Sequence, residues 1–367
     1  MPLRILVISN YTNFHATRPE AAIFVELAKR GFEVYIMTFE HSPHKQAFEE
    51  AGIEVIEFHP QKKWDTSEIR KIREFILAKG IHILQLFNSK STVNGILAAK
   101  GLPVKVVLYR GYAGNIHWYD RLAYTKYLHP RVDAVVCNSI GVRDYLQSIP
   151  FFDSKKAVAI NKGHDVSWYQ AERPVDIRAE LNLPPHAFLV VNVANNRRMK
   201  GIPWLLKAMG RIPKNLPIHL LLIGNGMDSE SNMDIIRKWG SEQHVHILGF
   251  RKNVLDIVAA CDMFALSSIK RESITKAVIE AMSLGVAPVI TDIPGNTELV
   301  EQGQSGLIVP PKDEKALAEA ILQLYHDPSL KQTLGRGARA HIEQRLNTRR
   351  TVDEYQDLYT RLFHKGL

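Results

Sequence analysis

This sequence predicts two doubly wound, Rossmann-like α/β domains in tandem, facing each other across a cleft, and three observations carry that prediction. Short strands that are apolar throughout, such as RILVISN, FEVYIMTF, IHILQLF and VKVVLYRG, alternate with helical stretches over the first half. Strands of that kind are buried on both faces, as in a parallel sheet covered by helices on either side. The pattern restarts at AFLVVNVAN, beyond a polar stretch that ends in Pro184-Pro185. Finally, 367 residues are long for one hydrophobic core and comfortable for two. The boundary is placed near residue 165, giving a first domain over 1–165 and a second over 166–345. A terminal helix over 346–367 is expected to pack back toward the first domain. Sheets of this kind bind ligands at the C-terminal ends of their strands, so the cleft between the halves is the expected site.

The elements follow in order. RILVISN opens the first sheet, and PEAAIFVELAKRG reads as a helix stopped by Gly31 behind a basic last turn of Lys29 and Arg30. FEVYIMTF is the next strand, followed by a helix around SPHKQAFEEAG and the short strand IEVIEF. The helix TSEIRKIREFILAKG then leads to IHILQLF. STVNGILAAKG, VKVVLYRG, a helical stretch near 118–128 and AVVCNS complete this half. In the second half AFLVVNVAN, IHLLLIGNG, VHILGF, MFALSS and APVITD are strands, each followed by a helix. TRRTVDEYQDLYTRLF is an amphipathic terminal helix.

Composition narrows the function classes. A hydrophobic content of 46% with 23% charged residues is ordinary for a globular protein, and no run of 18 apolar residues offers a membrane span. The opening MPLRILVISNY suits a first strand better than a signal peptide. Cys137 and Cys261 lie far apart in apolar surroundings and read as buried thiols of a reducing compartment, so a cytoplasmic location is expected. The net charge of +9 is uneven: residues 1–165 hold 22 Lys and Arg against 16 Asp and Glu, the remainder 25 against 22. A basic first half favours phosphate-bearing partners or the anionic inner face of a membrane. No arginine-rich or aromatic-interleaved module is visible, so nucleic acid is not an expected partner.

Two stretches carry the chemistry. RESITKAVIEAM holds Glu272 and Glu280, eight residues apart. On one regular helix their Cα atoms would be roughly 12 Å apart and rotated by about 80°, too far to share a proton or grip one metal ion. The spacing suits two contacts along an extended ligand. Glu272 is placed just before the helix, leaving the N–H groups of Ser273, Ile274 and Thr275 in the first turn to meet an anion. The plainer alternatives are a helix N-terminal charge for Glu272 and, for Glu280, an acid paired with a neighbouring lysine. In VNVANNRRMKG a buried strand ends in a loop with Arg197, Arg198 and Lys200, and Gly201 opens a helix. Cations at a strand end beside a helix N-terminus form a natural pyrophosphate site, the alternative being a solvated basic turn.

With these residues in place the sequence resembles the retaining glycosyltransferases of family 4, which have the GT-B fold. The match runs over essentially the whole chain and is strongest from 190 to 325. There LLLIGNGMDSE, VHILGFRKNVLDIVAACDMFALSS, RESITKAVIEAMSLGVAPVITDIPGNTELV and SGLIVPPKDEKALAEAI follow one another in the family's order. The resemblance implies that Glu280 binds the ribose hydroxyls of a nucleotide sugar, that Glu272 stands beside the transferred sugar, and that Lys200 holds the diphosphate. It implies that the backbone around Phe250 and Arg251 borders the nucleobase. It also implies same-face displacement, in which the leaving phosphate helps deprotonate the acceptor hydroxyl. A pair of catalytic carboxylates about 5 Å apart, which double displacement would want, is then not required. No metal or other cofactor is expected, since lysine, arginine and helix N–H groups can meet the charge developing on the nucleoside diphosphate.

Three departures limit the carry-over. The family's diphosphate arginine aligns with Asn195, and Arg197 (slightly favoured) or Arg198 is expected to replace it. The family's glycine pair in the first loop is missing from SNYTNFHATRPEAA, so His15, Arg18 or the loop backbone is expected to contact donor or acceptor instead. Where many members carry a histidine after VKVVLYRG this chain has Arg110, with His117 a nearby substitute; a lone charge at such a strand end needs a partner. Asn161, Gly163 and Asp165 resemble the family's hinge segment, and Gly224 and Gly226 read as a turn, both structural. The helix within 61–80 carries Ile69, Ile72 and Ile76 on one face and basic residues opposite. It covers the sheet on the plain reading, and on the other lies against an anionic membrane surface. The expected function is transfer of a sugar from a UDP- or GDP-sugar, with retention, to a saccharide or lipid-linked saccharide in polysaccharide or lipopolysaccharide assembly. A non-catalytic nucleotide-sugar-binding protein and a nucleotide-sugar epimerase or phosphorylase-type enzyme on the same fold stay open.

Overall fold

The computed structural model describes residues 2–173 and 175–364, so residues 365–367 of the terminal segment lie outside it. It divides the chain into two units, one of Met1–Gly163 with Leu346–Leu367 and one of His164–Arg345.

The first unit is built on β1 (Arg4–Ile8), α1 (Phe14–Lys29), β2 (Glu33–Thr38), α2 (Lys45–Glu50), β3 (Glu54–Glu57) and α3 (Thr66–Lys79). Then follow β4 (Ile83–Leu86), α4 (Ser89–Ala98), β5 (Lys105–Arg110), β6 (Ala134–Cys137), α5 (Ile140–Gln147) and β7 (Ala157–Ala159). All strands pair in parallel, in the order β3-β2-β1-β4-β5-β6-β7. Alternation along β1 feeds two cores: Leu6 and Ile8 pack with Ile72, Ile76 and Ile96 on one face, Ile5 and Val7 with Phe24 and Leu27 on the other. The order reverses direction between β1 and β4, where successive crossovers leave to opposite faces and open a crevice at the strand ends.

Two sequence expectations change here. The first helix begins at Phe14, not Pro19, because Asn13 caps it by accepting from the Ala16 N–H at 3.0 Å. Pro19 already has a helical φ and costs only one backbone bond. The stretch near 118–128 forms only a short 3₁₀ turn, Arg121–Thr125, capped by Asp120.

The second unit contains α6 (Ile177–Glu180), β8 (Phe188–Val193), α7 (Ile202–Arg211), β9 (Ile218–Ile223), α8 (Glu230–Lys238) and β10 (Val245–Gly249). It continues with α9 (Val254–Ala259), β11 (Met263–Leu266), α10 (Lys276–Ser283), β12 (Ala287–Thr291), β13 (Leu307–Val309), α11 (Glu314–His326) and α12 (Pro328–Arg345). Its sheet is also parallel, ordered β10-β9-β8-β11-β12-β13, so the reversal falls between β8 and β11.

The terminal helix α13 (Thr348–His364) belongs to the first unit. Val352, Tyr355, Leu358 and Tyr359 are buried in the same core as Phe24 and Leu27 of α1. Burying an aliphatic side chain of this kind is worth about 1.5–3 kcal/mol. Arg30 pairs with Asp353 at 2.6 Å, and the Tyr359 hydroxyl donates to Gln85 at 2.9 Å.

Candidate functional site

The reversal between β8 and β11 brings two loops together. Gly201, after β8, sits at φ +65°, and a Cβ there would lie 2.0 Å from the Ser267 carbonyl oxygen. Only glycine lets the two backbones approach so closely. The Ile269 N–H then donates to the Met199 carbonyl at 2.8 Å, and the Ser267 hydroxyl to the Lys200 carbonyl at 3.0 Å. Across this junction the Lys200 ammonium donates to Glu272 Oε1 at 2.6 Å. The Ser268 hydroxyl donates to the same oxygen at 2.6 Å and the Thr275 hydroxyl to Oε2 at 3.3 Å. Glu272 is 8% exposed, so its carboxylate is buried, satisfied and aimed. One ammonium proton is committed to this pair, and the lysine has two more donors for an anion.

A third loop supports this one from β12. The Thr291 hydroxyl donates to the Ser268 carbonyl at 2.5 Å, and the Asn296 amide to the Thr291 carbonyl at 3.0 Å. Gly295, at φ +93°, passes where a Cβ would come within 2.7 Å of Ser273 Cα. None of Ser268, Thr275, Thr291 or Gly295 was singled out as support for Glu272; for Ser268 and Thr291 a polar residue at the end of an apolar strand was the only sequence signal.

The helix start differs from expectation. Thr275 is the N-cap and α10 begins at Lys276, so Ser273, Ile274 and Thr275 precede the helix rather than form its first turn. The extended backbone at Thr275, with ψ 112°, is the physical reason. The first-turn amides are those of Lys276 and Ala277. Glu280 lies largely buried on α10 and accepts a hydrogen bond from Lys276 one turn earlier, which is the plainer of its two sequence readings. The Lys276 ammonium also lies 5.5 Å from the Tyr169 ring.

Asn195, at the position of the family arginine, accepts from the Asn225 N–H at 3.1 Å, while the Asn196 amide donates to the Gly226 carbonyl at 2.8 Å. The pair clasps the turn after β9, where a Cβ on Gly224 would meet the Ala194 carbonyl oxygen at 1.9 Å. Arg197 and Arg198 are exposed on the same loop, and neither makes an ion pair among the described residues. Beyond β10, Phe250 is exposed, but Arg251 pairs with Glu180 and its guanidinium is engaged.

In the first unit the candidates separate. Arg110 is buried at the end of β5, where its guanidinium donates to the Tyr112 carbonyl at 2.8 Å and to that of Gly114, and stacks 3.7 Å from the Tyr112 ring. The partner its charge required is thus its own loop. His117 is exposed and stacked on Tyr119 at 5.1 Å. His15 and Arg18 belong to α1 and not to a loop, with the Arg18 guanidinium 5.3 Å from the Phe14 ring. At the end of β1 the structure adds a buried cluster that sequence reading missed. Glu20 accepts from the Ser9 hydroxyl at 2.5 Å and from the Lys162 ammonium at 2.8 Å, and that ammonium lies 4.3 Å from the Tyr109 ring.

Among the described residues no group of three or more His, Cys, Asp or Glu side chains is placed to hold a metal ion, and no helix is long and apolar enough to cross a membrane. Burial pushes the thiols of Cys137 and Cys261 well above their ordinary values.

Comparison with known proteins bears on this arrangement. Residues 22–168 match the family model described as Glycosyltransferase Family 4, and residues 175–341 the model of Glycosyl transferases group 1. The N-acetyl-alpha-D-glucosaminyl L-malate synthase of Bacillus anthracis is 25% identical over 183 residues, 50% of this chain and 48% of that protein. The lipopolysaccharide core biosynthesis glycosyltransferase LpsD of Rhizobium meliloti is 26% identical over 188 residues, 51% of this chain and 54% of that one. The chain therefore spans about half the length of these relatives. In fold it is similar to HepE of Anabaena, solved in complex with UDP, at a TM-score of 0.77 and 21% identity over 98% of this chain and 100% of that one.

Proposed function

The chain belongs to the GT-B glycosyltransferases, family 4 in its first half and group 1 in its second, and from that premise we propose that it transfers a sugar from a nucleotide-diphosphate sugar to a saccharide or lipid-linked saccharide. The observation that carries the reading is the Lys200–Glu272 pair at the reversal between β8 and β11. Sheets of this topology take ligands at that point. Lys200 there offers a diphosphate two further donors, while Arg197 and Arg198 stand on the same loop. Charge developing on the departing nucleoside diphosphate is met by groups already fixed in place, with no metal called for. Glu272, held by three donors, presents a carboxylate of set orientation beside the sugar. Glu280 exchanges its bond from Lys276 for the ribose hydroxyls when the donor binds. Retention by same-face displacement is the reading the family resemblance carries, with the leaving phosphate helping to deprotonate the acceptor hydroxyl.

UDP or GDP is the expected nucleotide. The reading is supported by HepE, solved with UDP, and by the lipopolysaccharide core assignment of LpsD. A place in surface-polysaccharide or lipopolysaccharide assembly is the reading that the lipopolysaccharide core assignment of LpsD supports, and two free, buried thiols are compatible with a reducing compartment. A thermal-shift screen of nucleotide sugars identifies the donor, because a ligand of the folded state raises Tm. Glu280→Ala is then expected to weaken donor binding about tenfold or more in calorimetry. Unchanged affinity would remove the ribose role. Release of free nucleoside diphosphate only when acceptor is present marks transfer; conversion of the sugar with no release points to the epimerase, and binding without turnover to the non-catalytic reading.

A further inference from the structure

The first unit carries an exposed aromatic surface. Trp118 and Tyr119, in the stretch after β5, are 48% and 69% exposed, with ring centroids 5.9 Å apart. Phe151, 84% exposed, meets Trp118 edge to face at 5.9 Å. Leu122 stands on the next turn, mostly in water, and Trp64 on the loop before α3, half in water. Single exposed apolar residues are ordinary, but a cluster of large ones is not.

The backbone adds a second observation. Phe151 has φ +66° and Trp64 φ +58°, the left-handed region that bulky residues avoid. Glycine or asparagine would sit there more easily, and the Phe151 ring gains little burial in return. The free protein thus holds Phe151 in water, and Trp64 half in water, through an unfavourable backbone conformation. Such a feature marks a contact surface.

Charge indicates what the surface meets. Lys62 and Lys63 precede Trp64, Arg121 and Lys126 flank Leu122, and Lys155 and Lys156 follow Phe151. The Lys63 ammonium lies 5.9 Å from the Trp64 ring. Burial, and then the charges of Lys63 and Arg110, push the Lys126 ammonium below its usual value, so the two loops share one positive field. The acids interspersed among them are turned back to cap helical turns. Asp65 accepts from the Ser67 N–H, Asp120 from that of Leu122 and Asp153 from that of Lys155. Aromatic side chains sit at the headgroup level of a bilayer, and lysines and arginines meet its phosphates.

We propose that this surface docks the protein on an anionic lipid bilayer. The inference deepens the acceptor side of the proposed function and moves the expected membrane contact from the basic face of α3 to the loops beside it. On α3 itself, Arg73 is committed to the carbonyls of Ala98 and Lys100, and Lys79 pairs with Glu54.

The test is sedimentation of the full chain with vesicles of equal parts phosphatidylglycerol and phosphatidylcholine, without donor or acceptor. Binding to these vesicles, absent with phosphatidylcholine alone and weakening with salt, is expected. The double variant Trp118→Ala/Phe151→Gly is expected to bind roughly tenfold more weakly. Its Tm should fall by only a few degrees, because glycine accepts the left-handed backbone at 151 and Trp118 is only half-buried. No binding, equal binding to neutral vesicles, or unchanged binding by the double variant would overturn the proposal. So would a wild-type dimer that the double variant dissociates, which would make this face a contact between copies. The readout involves no sugar transfer, so its failure is distinct from failure of the transferase reading.

Discussion

Removing the Lys200 ammonium tests whether the junction between β8 and β11 is held by charge. Lys200→Met keeps most of the stem volume and leaves Glu272, 8% exposed, with the Ser268 hydroxyl at 2.6 Å and the Thr275 hydroxyl at 3.3 Å. Breaking a fully buried ion pair costs about 3–5 kcal/mol, because one charge is left uncompensated. Here the lysine side chain retains 18% exposure and two hydroxyls still serve the carboxylate, so about 2–3 kcal/mol is expected. Glu272→Gln leaves a lysine that reaches solvent, at about 1–2 kcal/mol. The double variant should cost no more than Lys200→Met alone, a coupling of about 1 kcal/mol or more. Native-state hydrogen exchange of the β8 and β11 amides is the assay, since it reports on this unit without requiring the chain to unfold in one step. Each 1.4 kcal/mol appears there as about a tenfold faster exchange. Additive effects within about 0.5 kcal/mol, or equal acceleration in β1 and β4, would refute the reasoning.

Two further outcomes follow from the second unit. Gly201→Ala places a Cβ 2.0 Å from the Ser267 oxygen at φ +65°, so a loss of about 2–4 kcal/mol with weakened donor binding is expected, and a wild-type melting curve would contradict the close approach. His219 is 7% exposed and shares a proton with His246 at 3.1 Å; burial, then the charges of His246 and His244, bring its pKa down to about 4. An unfolded imidazole titrates near 6.5, so between that pH and about 4 the unfolded chain binds more protons than the native one, and stability falls as pH falls through this window. Burial also brings His59 down to about 4, so His219 is one of several contributors; the fall in stability from pH 7 to pH 4 in urea unfolding is expected to be shallower in His219→Phe, and an unchanged slope would dismiss His219 as a source.

Much of the architecture was legible because its signals are local. Apolar strands such as IHLLLI and MFAL are buried at every position, and uninterrupted apolar runs bounded by polar turns mark such strands wherever they occur. The amphipathic period of the last helix put Val352, Tyr355 and Tyr359 on one stripe, which the structure buries. Boundaries were less legible. Asn13 extended α1 backward past Pro19, and Thr275 delayed α10 past the residues expected to open it, since a cap acts through one hydrogen bond or one dihedral rather than a composition. The candidate site was legible as residue types at strand ends, and illegible as partnerships. Arg110 looked like a free cation until its loop folded over it, and Glu20 with Lys162, 142 residues apart, gave no sign of pairing.

By itself, then, the sequence determined two parallel α/β layers, the loops that carry Lys200 and Glu272, and the family resemblance, because period, apolarity and motif order are properties of neighbouring residues. Only the tertiary structure decided that these two side chains meet at 2.6 Å. It also decided that Asn195 braces a turn and that Trp118 and Phe151 share one exposed face. Those facts depend on which strands lie side by side, and strand order is set by packing over the whole sheet rather than by any local stretch.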